Sequence, residues 1–134
     1  MFNASNPLLV QRTLALLRIV VGYLMLQHGT AKFFAIPHVA MFDGFQPMSI
    51  YGAAGVIEIV GGVLVLIGLF TRPAAFIVSG EMAFAYFMAH AKADNFWTPI
   101  LNGGELAVVY CFVFLFLAAA GGGAWSVDAA RSKR

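Results

Sequence analysis

Four apolar stretches, near residues 14–34, 50–70, 74–91 and 102–120, set the terms on which this chain can fold. Each reaches or approaches the ~20 residues that an α-helix needs to cross the hydrocarbon core of a bilayer. In that solvent every backbone N–H and C=O must be satisfied internally, so apolar runs of this length predict helices. Composition agrees: 61% of the 134 residues are hydrophobic and 10% are charged, where a soluble domain has about a quarter charged. The chain reads as all-α, an integral membrane four-helix transmembrane bundle over residues 14–120. A short segment (1–13) precedes it and a tail (121–134) follows. Arg18 interrupts the first apolar stretch and no small-x-small cleavage site follows, so this stretch reads as a retained span rather than a signal peptide.

Lys and Arg placement sets the expected orientation. Arg12, Arg72, Arg131, Lys133 and Arg134 fall on one side of an even number of spans. Lys32 and Lys92, offset by Asp43 and Asp94, fall on the other. Both termini are therefore expected in the cytoplasm. Trp97 and Trp125 stand where interfacial aromatic belts are expected, on opposite faces. The net charge of +2 is small and its basic residues are scattered, which argues against nucleic acid as a partner. Cys111 is the one cysteine; no intramolecular disulfide can form, and catalysis through a dithiol is excluded for this chain alone.

The charges inside the spans are not scattered. At 100° per residue Arg18, Gly22, Met25, Gly29 and Lys32 form one stripe, with His28 one turn from Lys32. Tyr51, Gly55, Glu58, Gly62 and Val65 form another. The third span offers Glu81 in line with Ile77, Ala85 and Met88, and the fourth opens with NGGE, which places Glu105 near its first turn. Gly22, Gly29, Gly55 and Gly62 mark these faces as helix-packing faces. An Arg, Lys or Asp at the bilayer centre costs roughly 2.5–3.5 kcal/mol, against ~0.3–0.6 kcal/mol gained per Leu, Ile, Val or Phe. Pairing inside the bundle, or access to a water-filled cavity, must relieve that cost. Depth along the helices, at ~1.5 Å per residue, predicts an inner structural ion pair of Arg18 with Glu81. It also predicts an outer polar cluster of His28, Lys32, Glu58 and Glu105. His90 has the right depth for that cluster but faces away from it. Two axial ligands from His28 and His90 would suit haem, a reading that the facing of His90 disfavours. No metal site is expected. Glycines and a Glu recur at the outer ends of spans 2 and 4 (GVIE, NGGE), a faint hint of parallel pseudo-repeats.

Several short motifs stand in a familiar order: GTAK at 29–32, ExxGGxLxLxGLxTRP at 58–73, NGGEL at 102–106 and GGGAWSVD at 121–128. Over roughly residues 12–128 the chain resembles the DoxX family of small four-span bacterial membrane proteins. The resemblance implies a multi-pass protein of the bacterial cytoplasmic (inner) membrane. It carries over Lys32, Glu58, Gly61, Gly62, Arg72, Asn102 and Glu105, and adds Asn102 to the expected polar seam. Relatives lie beside redox enzymes, and one branch supplies the membrane subunit of a thiosulfate:quinone oxidoreductase. No catalytic role travels with these residues.

Two functions follow as expectations. The first is an oxidoreductase subunit that binds a quinone or similar small molecule in the polar seam. There Lys32 or His28 would donate to a carbonyl, and Glu58 or Glu105 would exchange a proton. No cofactor is intrinsic to the chain, so electrons would come from a partner redox enzyme. The second is a non-catalytic scaffold or chaperone that docks a client protein through the seam and outer loops. A homo-oligomer is compatible with both.

Overall fold

A computed structural model describes residues 6–134, so the first five residues of the N-terminal segment lie outside it. Helix α1 spans Pro7–Phe34, α2 Ile50–Ile67, α3 Thr71–Ala85, the short α4 Pro99–Asn102, α5 Glu105–Ala120 and the short α6 Val127–Arg131. No strand occurs among the described residues. α1 packs along α2 and α3 along α5, and contact between α2 and α3 joins the two pairs. By length and composition α1 and α2 can each cross a membrane, and α5 is a shorter apolar helix.

Helix boundaries follow local chemistry. α1 begins before the apolar run because Asn6 caps the amides of Leu8 and Leu9 and Pro7 sits in the first turn, where a missing N–H costs nothing. α2 stops at Ile67 because Gly68 adopts a left-handed conformation. A Cβ there would also lie 2.4 Å from Ser126 Cβ and 2.8 Å from the Arg18 guanidinium. α3 starts at Thr71, with Pro73 tolerated near its beginning. A π-helical turn over Tyr86–His90 then extends it. The fourth apolar run is divided: α4 ends at the left-handed Gly103, and α5 begins only at Glu105.

The burial pattern inverts that of a soluble bundle. Phe76, Phe112 and Phe116 face outward, each more than half exposed, while Arg18 and Glu58 are buried at 0% and 2% exposure. Apolar side chains also fill the interior, where Met25, Val65, Val78, Phe114 and Leu117 meet. A molecule apolar on both surfaces and charged only at selected interior points is built for lipid.

Candidate functional site

Glycines bring α1 and α2 close enough for their charges to meet. A Cβ on Gly22 would stand 2.7 Å from the Leu66 amide nitrogen, and one on Gly62 would stand 2.7 Å from that of Leu26. One on Gly29 would lie 2.8 Å from the Gly55 carbonyl oxygen. These contacts are to backbone, so the helices could not approach this far with any side chain present. At the end of the zipper Lys32 Nζ donates to both Glu58 oxygens, at 2.6 Å each. Both side chains are nearly buried, at 9% and 3% exposure. Lys32 Nζ also lies 5.3 Å from the centroid of the Phe42 ring.

Glu81 completes this cluster from α3. Its charged neighbours there are Glu58 and Lys32. Its Oε2 is buried without a hydrogen-bond partner. The expected Arg18–Glu81 pair is therefore replaced by a Lys32–Glu58–Glu81 triad. The physical reason is the start of α3: counted from Thr71, Glu81 lies ~15 Å along the helix axis, far from the end where Arg18 sits. The inward face of α3 is also rotated from the one read in the sequence. Ala75, Val78, Ser79 and Met82 are buried, whereas Ile77 and Met88 are exposed. Glu81 thus reaches the cluster from the edge of that face.

Arg18 finds carbonyls instead of a carboxylate. Its Nε donates to Gly122 O (2.8 Å), Nη1 to Val65 O (3.0 Å) and Leu66 O (2.6 Å), and Nη2 to Ala124 O (3.4 Å) and Trp125 O (3.0 Å). Every N–H of the guanidinium fork is engaged. Val65 and Leu66 lie in the last turn of α2, whose carbonyls lack helical partners and form the negative end of the helix dipole. The Gly121–Gly123 run lets the tail fold back to supply the rest. Arg18 therefore pins α1, α2 and the tail together.

The same end has a second clasp. Asp128 accepts hydrogen bonds from the Phe70 and Thr71 amides, both at 2.9 Å. Burial alone would push its carboxyl up, but the Thr71 and Phe70 amides and Arg131 outweigh that and hold it below the usual carboxylate range. A carboxyl lowered by folding stabilises the fold fully above its unfolded value, and loses that contribution as the pH falls through its folded value. Asp128→Asn should weaken the fold by about 1 kcal/mol near neutrality, the usual scale for a lost cap. It should also flatten the loss of stability seen below ~pH 4. Thermal unfolding in detergent across pH checks both; an unchanged acid limb would contradict the role.

The remaining seam residues part company. Glu105 is exposed in the first turn of α5, so it does not join Lys32 and Glu58. His28 bonds the Leu24 carbonyl through Nδ1 at 3.0 Å and meets Tyr110 edge-on. Asn102 organises the far loop: its Nδ2 donates to Tyr86 Oη and Asn95 O, and its Oδ1 accepts from the Gly104 amide. His90 bonds the Asn102 carbonyl, so the two histidines have separate settings. Arg72 donates to the Ala118 and Ala119 carbonyls at the end of α5. Among the described residues no group of three or more His, Cys, Asp or Glu side chains is placed to hold a metal ion.

Glu81 was the member of the cluster that sequence reasoning misplaced. Measuring depth from Thr71, with Pro73 read as a first-turn residue, would have found it.

Comparison with known proteins bears on this arrangement. The family model for DoxX matches residues 13–91, the stretch that supplies Arg18, Lys32, Glu58 and Glu81. The chain belongs to the DoxX family. This DoxX protein is 52% identical over 120 residues to an uncharacterized protein of Haemophilus influenzae, covering 86% of this chain and 87% of the relative. It is 31% identical over 133 residues to an uncharacterized membrane protein of Mycobacterium tuberculosis, covering 88% and 80% respectively. No solved structure matches it significantly. As a DoxX protein it is a helical membrane protein, and its inverted burial has that cause.

Proposed function

We propose that this DoxX protein is a redox-linked membrane subunit that binds a quinone or similar small molecule at the Lys32–Glu58–Glu81 cluster. It would sit as a multi-pass protein in the bacterial cytoplasmic membrane, with both termini cytoplasmic. Arg12, Arg72 and the C-terminal basic residues support that orientation, since the tail packs back against Gln11 and the start of α3. The observation that carries the ligand reading is the buried Glu81 Oε2, left without a hydrogen-bond partner beside an ion pair. A buried polar atom without a partner is destabilising by about 1–3 kcal/mol, and intramembrane ionisable groups are functional sites by default. Burial also suits a carboxylate to proton exchange with a guest. Reduction of a quinone takes two electrons and two protons; the electrons would come from a partner redox protein.

The test is mass spectrometry of organic extracts from the gently purified chain and from a Glu58→Gln/Glu81→Gln double variant. A quinone-like molecule near one per chain, depleted in the variant, is expected. Equal extraction from both proteins contradicts the assignment.

A scaffold role is the second reading. Met48, Trp97, Ile100 and Leu101 are each at least 74% exposed in the segments between the long helices, a surface suited to an apolar partner. It predicts the loss of one client protein from the membrane proteome on deletion; an unchanged proteome counts against it.

A further inference from the structure

The end of the bundle that carries the tail holds a cleft of ~410 Å³, walled by the start of α3, the glycine turn after α5, and α6. Arg72 lines it with a guanidinium held at one nitrogen: Nη1 donates to the Ala118 and Ala119 carbonyls. That anchor fixes the fork and leaves its Nε–Nη2 edge without an acceptor among the described residues. The edge lies over Gly121, where a Cβ would stand 3.4 Å from Nη2 and 3.5 Å from Nε. The Gly122 and Gly123 amides of the same wall also lack an acceptor among the described residues. Behind them the Thr71 hydroxyl, at 0% exposure for its residue, has no hydrogen-bond partner among the described residues. Guanidinium and amide N–H groups only donate, so this wall calls for an acceptor. Asp128 does not supply it, because its oxygens take the Phe70 and Thr71 amides at 2.9 Å. Asp128 is also the one acidic residue of the tail, against Arg131, Lys133 and Arg134. Arg131 lies 5.4 Å from the centroid of the Phe70 ring, at the edge of the cleft.

We propose that this cleft seats the phosphate group of an anionic phospholipid, clasped by the Nε–Nη2 edge of Arg72. A planar fork with two parallel N–H groups matches two phosphate oxygens, and the basic tail supplies the field that draws an anion in. Basic pockets between the ends of membrane helices are suited to anionic head groups. What selects a lipid over a soluble phosphate is the surface beside the cleft. Phe76 stands one turn from Arg72 along α3, and Phe116 one turn from Ala120 along α5. They are 65% and 55% exposed, so acyl chains run along them while the head group stays in the cleft. The site is separate from the Lys32–Glu58–Glu81 cluster and does not depend on a guest there.

The experiment is native mass spectrometry of the full chain in neutral detergent with phosphatidylglycerol, a diacylglycerol with the same chains, and inorganic phosphate. Phosphatidylglycerol should bind at least about tenfold more tightly than the diacylglycerol, and inorganic phosphate at equal concentration should not displace it. Equal binding of the two lipids overturns the phosphate site. Displacement by inorganic phosphate overturns the lipid as the source of that group. Arg72→Lys keeps a cation for the α5 carbonyls but loses the flat edge, so the preference should fall to under about threefold. An unchanged preference in that variant overturns the role of Arg72. A final measurement needs no variant to fold: phosphatidylglycerol with a photoreactive head group should label the unaltered chain at Arg72 or within residues 121–132. Label confined to other peptides overturns the placement.

Discussion

Replacing Arg18 with Met should destabilise the bundle by about 3–5 kcal/mol, the scale for stripping a buried charged group from its partners. The side chain is wholly buried and engages carbonyls of both α2 and the tail. Methionine would fill the volume but remove the guanidinium donors from the Leu66, Gly122, Ala124 and Trp125 carbonyls, while Val65 O keeps the Gly68 amide. Arg18→Lys should recover less than half of the loss, because a single ammonium cannot span acceptors arranged around a planar fork. Unfolding in mixed micelles reads the stability. Chymotryptic cleavage at Trp125 reads the tail, which should open in both variants. A stable Arg18→Met protein with a protected tail would contradict this role.

The second large effect is expected at the α1–α2 contact. Gly62→Leu should destabilise by about 3 kcal/mol, at the upper end for overpacking, and it should separate Lys32 from Glu58. The cause is that the new Cβ would stand 2.7 Å from the Leu26 nitrogen and 2.9 Å from its Cα. Backbone cannot swing aside as a side chain can. Gly80 supplies the contrast: nothing lies within 4 Å of a Cβ placed there. Gly80→Ala should be neutral or stabilising by up to ~1 kcal/mol, through helix propensity alone. The same micelle unfolding assay compares them. A Gly62→Leu protein as stable as Gly80→Ala would mean that the helices do not meet as described.

Much of this was legible in the sequence, for identifiable reasons. The stripe from Arg18 through Gly22, Met25 and Gly29 to Lys32 repeats at the helical period, and its glycines mark the face turned toward other helices; that the partner is α2 is visible only in the fold. Lys32 and Glu58 stand in the outer half of antiparallel helices, which places them in one outer cluster with His28 and Glu105 but does not single out the pair. Glu81 was placed too deep because the apolar run of the third span begins after Thr71, Arg72 and Pro73, whereas the helix includes all three. Arg18 was given a carboxylate partner because charge was matched with charge. A helix end and a glycine-rich turn can satisfy a guanidinium equally well, but the turn lies 104 residues away and periodicity is blind to it. Glu105 was grouped with the outer cluster by its depth alone, although its first-turn position on α5 leaves it exposed.

A guest seated at the charged cluster inside the bundle can be located by photolabelling. An azido-quinone irradiated with the full chain in membranes should label the peptides carrying Lys32, Glu58 and Glu81, and excess unlabelled quinone should suppress the signal. The competing place for a guest is the ~410 Å³ cleft at the other end of the bundle, lined by Thr71, Arg72, Gly121, Gly122 and Asp128. Label confined to that cleft, or label around Glu81 that unlabelled quinone cannot suppress, would rule out a guest at the Lys32–Glu58–Glu81 cluster.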